Sequence, residues 1–167
     1  MSKDPAPIVT SGYVPGCIGR IAELHAHYYC AHAGFGVYFE SKVARELGAF
    51  CENYLPQRDG LWLVMRDGSI EGSLAIDGTH AETQGAHLRW FILSDRLRGT
   101  GFGNQLLARA LEFARDQDYH RITLWTLRRL EAARHLYLKF GFTLVEEIIG
   151  HQWGHEVVEQ RYELVNR

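Results

Sequence analysis

The chain has 167 residues with a formal net charge of −2 at pH 7, a length that suits a single domain over residues 1–167 with a sizeable core. Without a polybasic run, composition gives no argument for nucleic acid or an anionic membrane, and no segment approaches the roughly 18 apolar residues that span a bilayer. Cys17, Cys30 and Cys51 lack Cys-x-x-Cys spacing and the start "MSKDPAPIV" has no signal-peptide core, so free thiols in a reducing cytoplasm are expected.

In chain order, "IVTSGYVPG" (8–16) reads as a strand ended by Pro15-Gly16, and "CIGRIAELHAHYYCAHAGFG" (17–36) as a helix stopped by Gly34 and Gly36. A second helix over about 39–54 puts Val43, Leu47, Phe50 and Cys51 on one face. "LWLVMRDGSIEGSLAID" (61–77) predicts two strands around an Asp67-Gly68 turn. A strand "HLRWFIL" (87–93) leads into "RLRGTGFGNQLL" (96–107) and a helix over 104–116 with Leu106, Leu107, Ala110, Leu111 and Ala114 on one face. "RITLWTL" (121–127) predicts a strand, "EAARHLYLKF" (131–140) a helix, and "TLVEEIIG" (143–150) and "EVVEQRYELV" (156–165) the last strands. The order predicts a mixed α/β fold with helices packed on a sheet. No internal repeat or linker divides it.

Gly99, Gly101 and Gly103 sit where a strand gives way to a helix. Glycine admits close approach to the main chain, and the first amides of the following helix point outward at the positive end of its dipole. The spacing G-x-G-x-G fits neither the dinucleotide fingerprint nor the Walker-type phosphate loop. A ligand-free turn and an anion site are both compatible with it, and Arg96 and Arg98 favour a phosphate.

"RGTGFG" (98–103) resembles the R-x-x-G-x-G acyl-coenzyme A signature of the GNAT acyltransferases, and "AARHLYLKFGF" (132–142) resembles their A-x-x-L-Y-x-K-x-G-F signature. The stretch "LWTLRRLEAARHLYLKFGFTLVEE" followed by "QWGHEVVEQRYEL" is similar to the acyltransferase half of proteins that fuse a MarR-type winged helix to a GNAT domain. With few residues ahead of the first strand, a free-standing version of that half is expected. The resemblance implies a GNAT fold: a mixed, mostly antiparallel sheet of about six or seven strands flanked by about four helices. It implies an N-acetyltransferase that moves the acetyl group of acetyl-CoA directly to a primary amine of a small molecule or peptide. It further implies that the main chain of Arg98, Gly99, Thr100, Gly101, Phe102, Gly103 and Asn104 holds the pyrophosphate. Phe91, Ile92 and Leu93 would pair with the pantetheine arm as an added strand does. Tyr137 falls on the family's general-acid position. Homodimers are common in the family, so one is expected here. One departure is Leu130, where the family often carries asparagine; Thr126 or Arg128 could stand in.

Acyl transfer to an amine needs a neutral amine, charge stabilisation on the thioester oxygen and a proton for the thiolate. Neutralising an alkyl amine of pKa near 10.4 at pH 7 costs about 4.6 kcal/mol, which a base or a water chain offsets in part. Residues 86–93 contain no carboxylate, and Glu23, Glu40, Glu71, Glu82 and His87 all remain candidates for the base. On a helix His25 and His27 point about 200° apart and His32 lies two turns from His25, so no metal is expected. Tyr28, Tyr29, Phe35, Tyr38 and Glu40, from the helical pair that walls the acceptor site in GNAT domains, are the candidates for acceptor contact. Core packing explains each of these five equally well. His151, Trp153 and His155 could reach the same cleft. No cysteine accompanies either signature, so a covalent route lacks its nucleophile. The rival reading from another class is an acyl-CoA-binding sensor or interaction module with little or no catalysis.

Overall fold

The computed structural model describes residues 4–167, and among them are seven strands and five helices. The order is β1 (Ile8–Ser11), α1 (Cys17–Ala33), α2 (Val37–Glu52), β2 (Gly60–Arg66), β3 (Ser69–Asp77), α3 (Ala81–Gln84), β4 (Ala86–Leu93), α4 (Phe102–Asp116), β5 (Arg121–Leu127), α5 (Glu131–Lys139), β6 (Thr143–Gly150) and β7 (Val157–Val165). One sheet runs β1-β2-β3-β4-β5-β7-β6. Every neighbouring pair is antiparallel except β4 and β5. The expected mixed, mostly antiparallel sheet is present.

Both faces of the sheet are covered, which explains why "LWLV" in β2 is apolar without alternation. Trp62 and Val64 face Leu106, Leu107, Ala110 and Leu111 of α4. Leu61 and Leu63 face the opposite way, into a second core built on Ile21 of α1 and Phe39, Val43, Leu47 and Phe50 of α2. The β2–β3 hairpin turns on Asp67 (φ 51°) and Gly68 (φ 73°), the two left-handed positions that such a two-residue turn demands.

Two departures from the sequence reading have simple causes. β1 is four residues long, because the chain leaves the sheet after Gly12 N–H bonds Leu61 O at 2.8 Å and residues 13–16 lead into α1. The connection from β3 to β4 contains α3, four residues long, too short for any periodicity to announce. Among the described residues no helix is long and apolar enough to cross a membrane.

Candidate active site

β4 and β5 pair only at Ala86↔Ile122 and His87↔Thr123 and then diverge. A bulge in β4 accompanies the divergence. Its register against β3 slips between Ala75↔Arg89 and Ser73↔Ile92, and Trp90 takes a left-handed φ of 48°. That conformation costs a non-glycine residue about 1–3 kcal/mol and persists only where its surroundings fix it. Ser73 is one such restraint: its buried hydroxyl donates to Trp90 O at 2.7 Å. Beyond His87, the edge of β4 toward β5 therefore carries main-chain groups that no strand takes up.

A cavity of about 550 Å³ fills this gap. It is walled by His25, Tyr28 and Tyr29 of α1, Phe39, Lys42 and Glu46 of α2, residues 87–93 of β4, residues 124–127 of β5, Leu136 and Tyr137 of α5, and Gln152 and Trp153 of the β6–β7 connection. At one end stands the glycine turn. Gly101 (φ 87°) is the residue that caps α4, so no side chain takes the first amides of that helix. A Cβ built on Gly99 or Gly101 meets nothing within 4 Å, so the turn faces open space. Arg98 lines the cavity, with its guanidinium 4.8 Å from the Tyr28 ring centre and an ion pair to Asp95. Arg96 is engaged elsewhere, pairing with Asp67 at 3.1 Å and with buried Glu71 at 3.2 Å.

Phe91, Ile92, Leu93, Arg98, Gly99 and Gly103 all line the cavity. Thr100, Gly101, Phe102 and Asn104 lie in the turn but outside the lining. Thr100 bonds back to Leu97 O, Phe102 packs toward α4's core, and Asn104 accepts from Lys139 Nζ at 2.7 Å. Tyr137 lines the cavity and is 6% exposed, with its ring among Phe91, Phe142 and Tyr162. Burial, with Tyr29, Tyr28 and Tyr162 nearby, holds its phenol protonated well above the ordinary range.

The acceptor-side expectations divide. Tyr28 and Tyr29 line the cavity, packed edge to face with ring centres 5.1 Å apart. Phe35, Tyr38 and Glu40 do not. Phe35 is 2% exposed, turned into the core against Tyr29 and Phe39. Tyr38 and Glu40 flank Phe39 on α2, and one residue either way on a helix swings a side chain about 100° off the core-facing stripe; both are exposed. Of the candidate bases only His87 lines the cavity. Glu71 is buried under Arg20 and Arg96, while Glu23 is exposed beside Arg20. Burial first, then the Arg89 charge, pushes His87 down to about 4, so it is a neutral imidazole at pH 7. Thr126, Leu130 and Trp153 line the cavity; Arg128 is exposed, 3.7 Å from Glu147.

The sequence reading missed Lys42, Glu46 and Arg89. Lys42 and Glu46 pair at 2.9 Å one turn apart on α2, and Arg89 pairs with Glu46 from β4. Their signal was available: Lys42 and Glu46 lie three and seven residues after Phe39, on the edge of its apolar face.

Residues 21–142 match the acetyltransferase (GNAT) family. Rat N-acetylaspartate synthetase is 27% identical over 135 residues, 80% of this chain and 45% of that protein. Human N-acetyltransferase 8B is 21% identical over 151 residues, 88% of this chain and 66% of that protein. The chain thus spans about half the length of the N-acetylaspartate synthetases it matches. Solved structures give the same fold. An acetyltransferase from Streptococcus agalactiae superimposes with TM-score 0.74 at 20% identity, covering 96% of this chain and 98% of that one. The Salmonella typhimurium protein yncA, solved with its cofactor acetyl-CoA, gives 0.75 at 17% identity over 96% of this chain and 94% of that one. Spermidine N-acetyltransferase from Vibrio cholerae, in complex with CoA and spermine, gives 0.70 at 18% identity over 94% and 95%. With most of its length matched by the family, and with the glycine turn, the splayed strands and Tyr137 meeting at one cavity, this chain belongs to the GNAT acetyltransferase family.

Proposed function

We propose that the chain is an acetyl-CoA-dependent N-acetyltransferase whose active site is the cavity between β4 and β5, with direct transfer to a primary amine. The observation that carries this reading is the meeting of three features there: an open glycine turn at the α4 N-terminus, an unpaired β4 edge and a buried, neutral Tyr137. The residues fit the coenzyme. Uncapped helix amides, open space outside Gly99 and Gly101, and Arg98 nearby form a donor set suited to a pyrophosphate. When bound, acetyl-CoA supplies an acetyl thioester already activated toward an amine.

The remaining roles belong to the protein. The turn from Arg98 to Asn104 holds the pyrophosphate charges, and the edge of Phe91, Ile92 and Leu93 aligns the pantetheine arm by strand-like hydrogen bonds. Main-chain N–H groups just past the Trp90 bulge polarise the acyl oxygen, a contribution of about 3 kcal/mol for a preorganised donor. Tyr137 hydrogen-bonds the departing sulfur and passes it a proton that the amine supplies in exchange, so the phenol ends as it began. His87, the candidate base that lines the cavity, is a weak base at its lowered pKa and relays the amine proton through water rather than keeping it. Cys17, Cys30 and Cys51 are free and none lines the cavity, which supports direct transfer over a cysteine-linked route.

The names of similar proteins, N-acetylaspartate synthetase and spermidine N-acetyltransferase, support an amine acceptor. The same reading holds the chain to be one domain acting in the cytoplasm, with its cysteines reduced. A homodimer belongs to it too: the outer strand β6 exposes Leu144, Val145, Ile148 and Ile149. The test is calorimetric titration of acetyl-CoA into wild type and Gly101→Glu. Wild type is expected to bind and the variant to lose at least a hundredfold in affinity, because a carboxylate at φ 87° both strains the turn and repels the pyrophosphate. Absence of binding to wild type would remove the enzyme reading.

A further inference from the structure

A second cavity, of about 600 Å³, shares His87, Arg89 and Trp125 with the first. The two form one trough that runs from the glycine turn, past α2, to the starts of β4 and β5, where Gly85 and Arg121 line it. The character of the walls changes along it. Near Tyr137 they are aromatic; in the second cavity they carry Arg89, Arg121, Arg161, Asp77 and Glu163.

Arg89 stands at the junction. Its guanidinium lies 4.2 Å from the Trp90 ring centre, and it pairs with Glu46 and, at 3.8 Å, with Asp77. Glu46 is itself shared, since Lys42 holds its other oxygen at 2.9 Å. Arg161 is closed off by Glu146 and Glu163. Beyond the glycine turn, the lining Lys and Arg side chains are Lys42, Arg89, Arg121 and Arg161, against the lining carboxylates Glu46, Asp77 and Glu163 and, on Arg161 from outside the lining, Glu146, so the charges balance. Arg89 nonetheless keeps hydrogen-bonding capacity, since it bonds Glu46 through one nitrogen while Asp77 stays at 3.8 Å. A planar guanidinium already fixed by stacking and ion pairs is preorganised for a carboxylate, and little freedom remains to be lost on binding.

We infer that the acceptor is a free amino acid, with its amine directed toward His87 and Tyr137 and its carboxylate seated on Arg89. This rests on the transferase reading above. A polyamine carries no carboxylate, so Arg89 would gain no partner from it.

The test uses matched pairs: each of the nineteen amino acids with a primary α-amine against its own α-amide, plus spermidine, with coenzyme A release as the signal. The amide keeps shape and amine but loses the carboxylate, and its amine is the less basic, so chemistry alone would favour the amide. The expected result is at least one amino acid turned over with kcat/KM tenfold or more above its amide. Arg89→Gln is expected to bring that ratio within about twofold, mainly through KM, and Arg89→Lys to restore only part of it. The wild-type ratio stands on its own where a variant fails to fold. Preference for the amides or for spermidine, or a ratio unchanged in Arg89→Gln, would overturn the inference and leave the transferase reading intact. Acetyl-CoA binding with no release for any of these amines would overturn the amino-acid inference alone, and failure to bind acetyl-CoA would overturn both.

Discussion

The two ends of the trough are built from different materials. At the glycine turn the surface is main chain: uncapped helix amides, a left-handed Gly101 and the free edge of β4. At the α2 end it is side chain: Lys42, Glu46, His87 and Arg89, drawn from a helix and a strand that lie more than thirty residues apart in sequence. Main-chain recognition tolerates few residue types and keeps a short, fixed spacing. Side-chain recognition needs only that the fold bring the right groups together. The first end suits a ligand part that every family member shares, and the second suits the part that distinguishes one acceptor from another.

Tyr137 joins the two ends, and removing its hydroxyl gives the largest effect expected among substitutions that keep the ring. Tyr137→Phe preserves packing against Phe91, Phe142 and Tyr162. It is expected to lower kcat by about 10²–10³, the range for a lost general acid, with the acetyl-CoA dissociation constant within a factor of two. Steady-state kinetics beside calorimetry reads both. Because burial keeps the phenol protonated above its ordinary range, the wild-type rate should show no decline from tyrosine ionisation up to pH 9. A Tyr137→Phe enzyme with undiminished kcat would confine the chemistry to the main-chain end.

The contrast between the ends also decides how much could be read in advance. The turn, the α4 face and the Asp67-Gly68 hairpin were legible because each rests on local residue chemistry. The Trp90 bulge was not: nothing about tryptophan favours a left-handed φ, and a contact that braces it, from the Ser73 hydroxyl to Trp90 O, comes from the neighbouring strand. For Phe35 the sequence left acceptor contact and core packing equally open. Gly34 ends α1 and the chain reverses, so Phe35 is carried into the core against Tyr29 and Phe39 instead. Arg89 was visible only as the second polar residue, after His87, in an otherwise apolar strand. Its role depends on the partners Glu46 and Asp77, which no local pattern links to it.

A second way to sharpen the comparison is acid. His25, buried in the α1 wall with Nδ1 2.8 Å from Ile21 O, is pushed by burial down to about 4 from an unfolded value of 6.5. Between those values the unfolded chain holds the extra proton, so stability rises with pH across that window and is lost as pH falls from 6.5 through 4. The loss attributable to His25 amounts to about 3 kcal/mol at pH below 4. Urea unfolding from pH 3.5 to 7.5 should show a steep acid limb in wild type and a shallower one in His25→Leu. Because His25 lines the acceptor wall and the glycine turn holds no such group, acceptor KM expressed on the neutral amine should rise in this window before acetyl-CoA affinity falls, and should do so less in His25→Leu. A parallel loss of both would mean that the two ends melt as a unit.

The smallest effect is expected at Ser73, and it tests whether the main-chain end depends on one side chain after all. Ser73→Ala leaves the buried Trp90 carbonyl without its 2.7 Å donor, which costs about 1–3 kcal/mol. The strain at Trp90 then has one restraint fewer, and the bulge should sample the regular strand, in which residues 91–93 change the direction their main-chain groups face. Amide hydrogen exchange at residues 90–93 should quicken while exchange in the β2–β3 hairpin holds, and kcat should fall three- to tenfold. Faster exchange with kcat intact would show that polarisation of the acyl oxygen does not pass through the bulge. If neither changes, the divergence of β4 from β5 is held by the sheet alone, and the main-chain end owes nothing to Ser73.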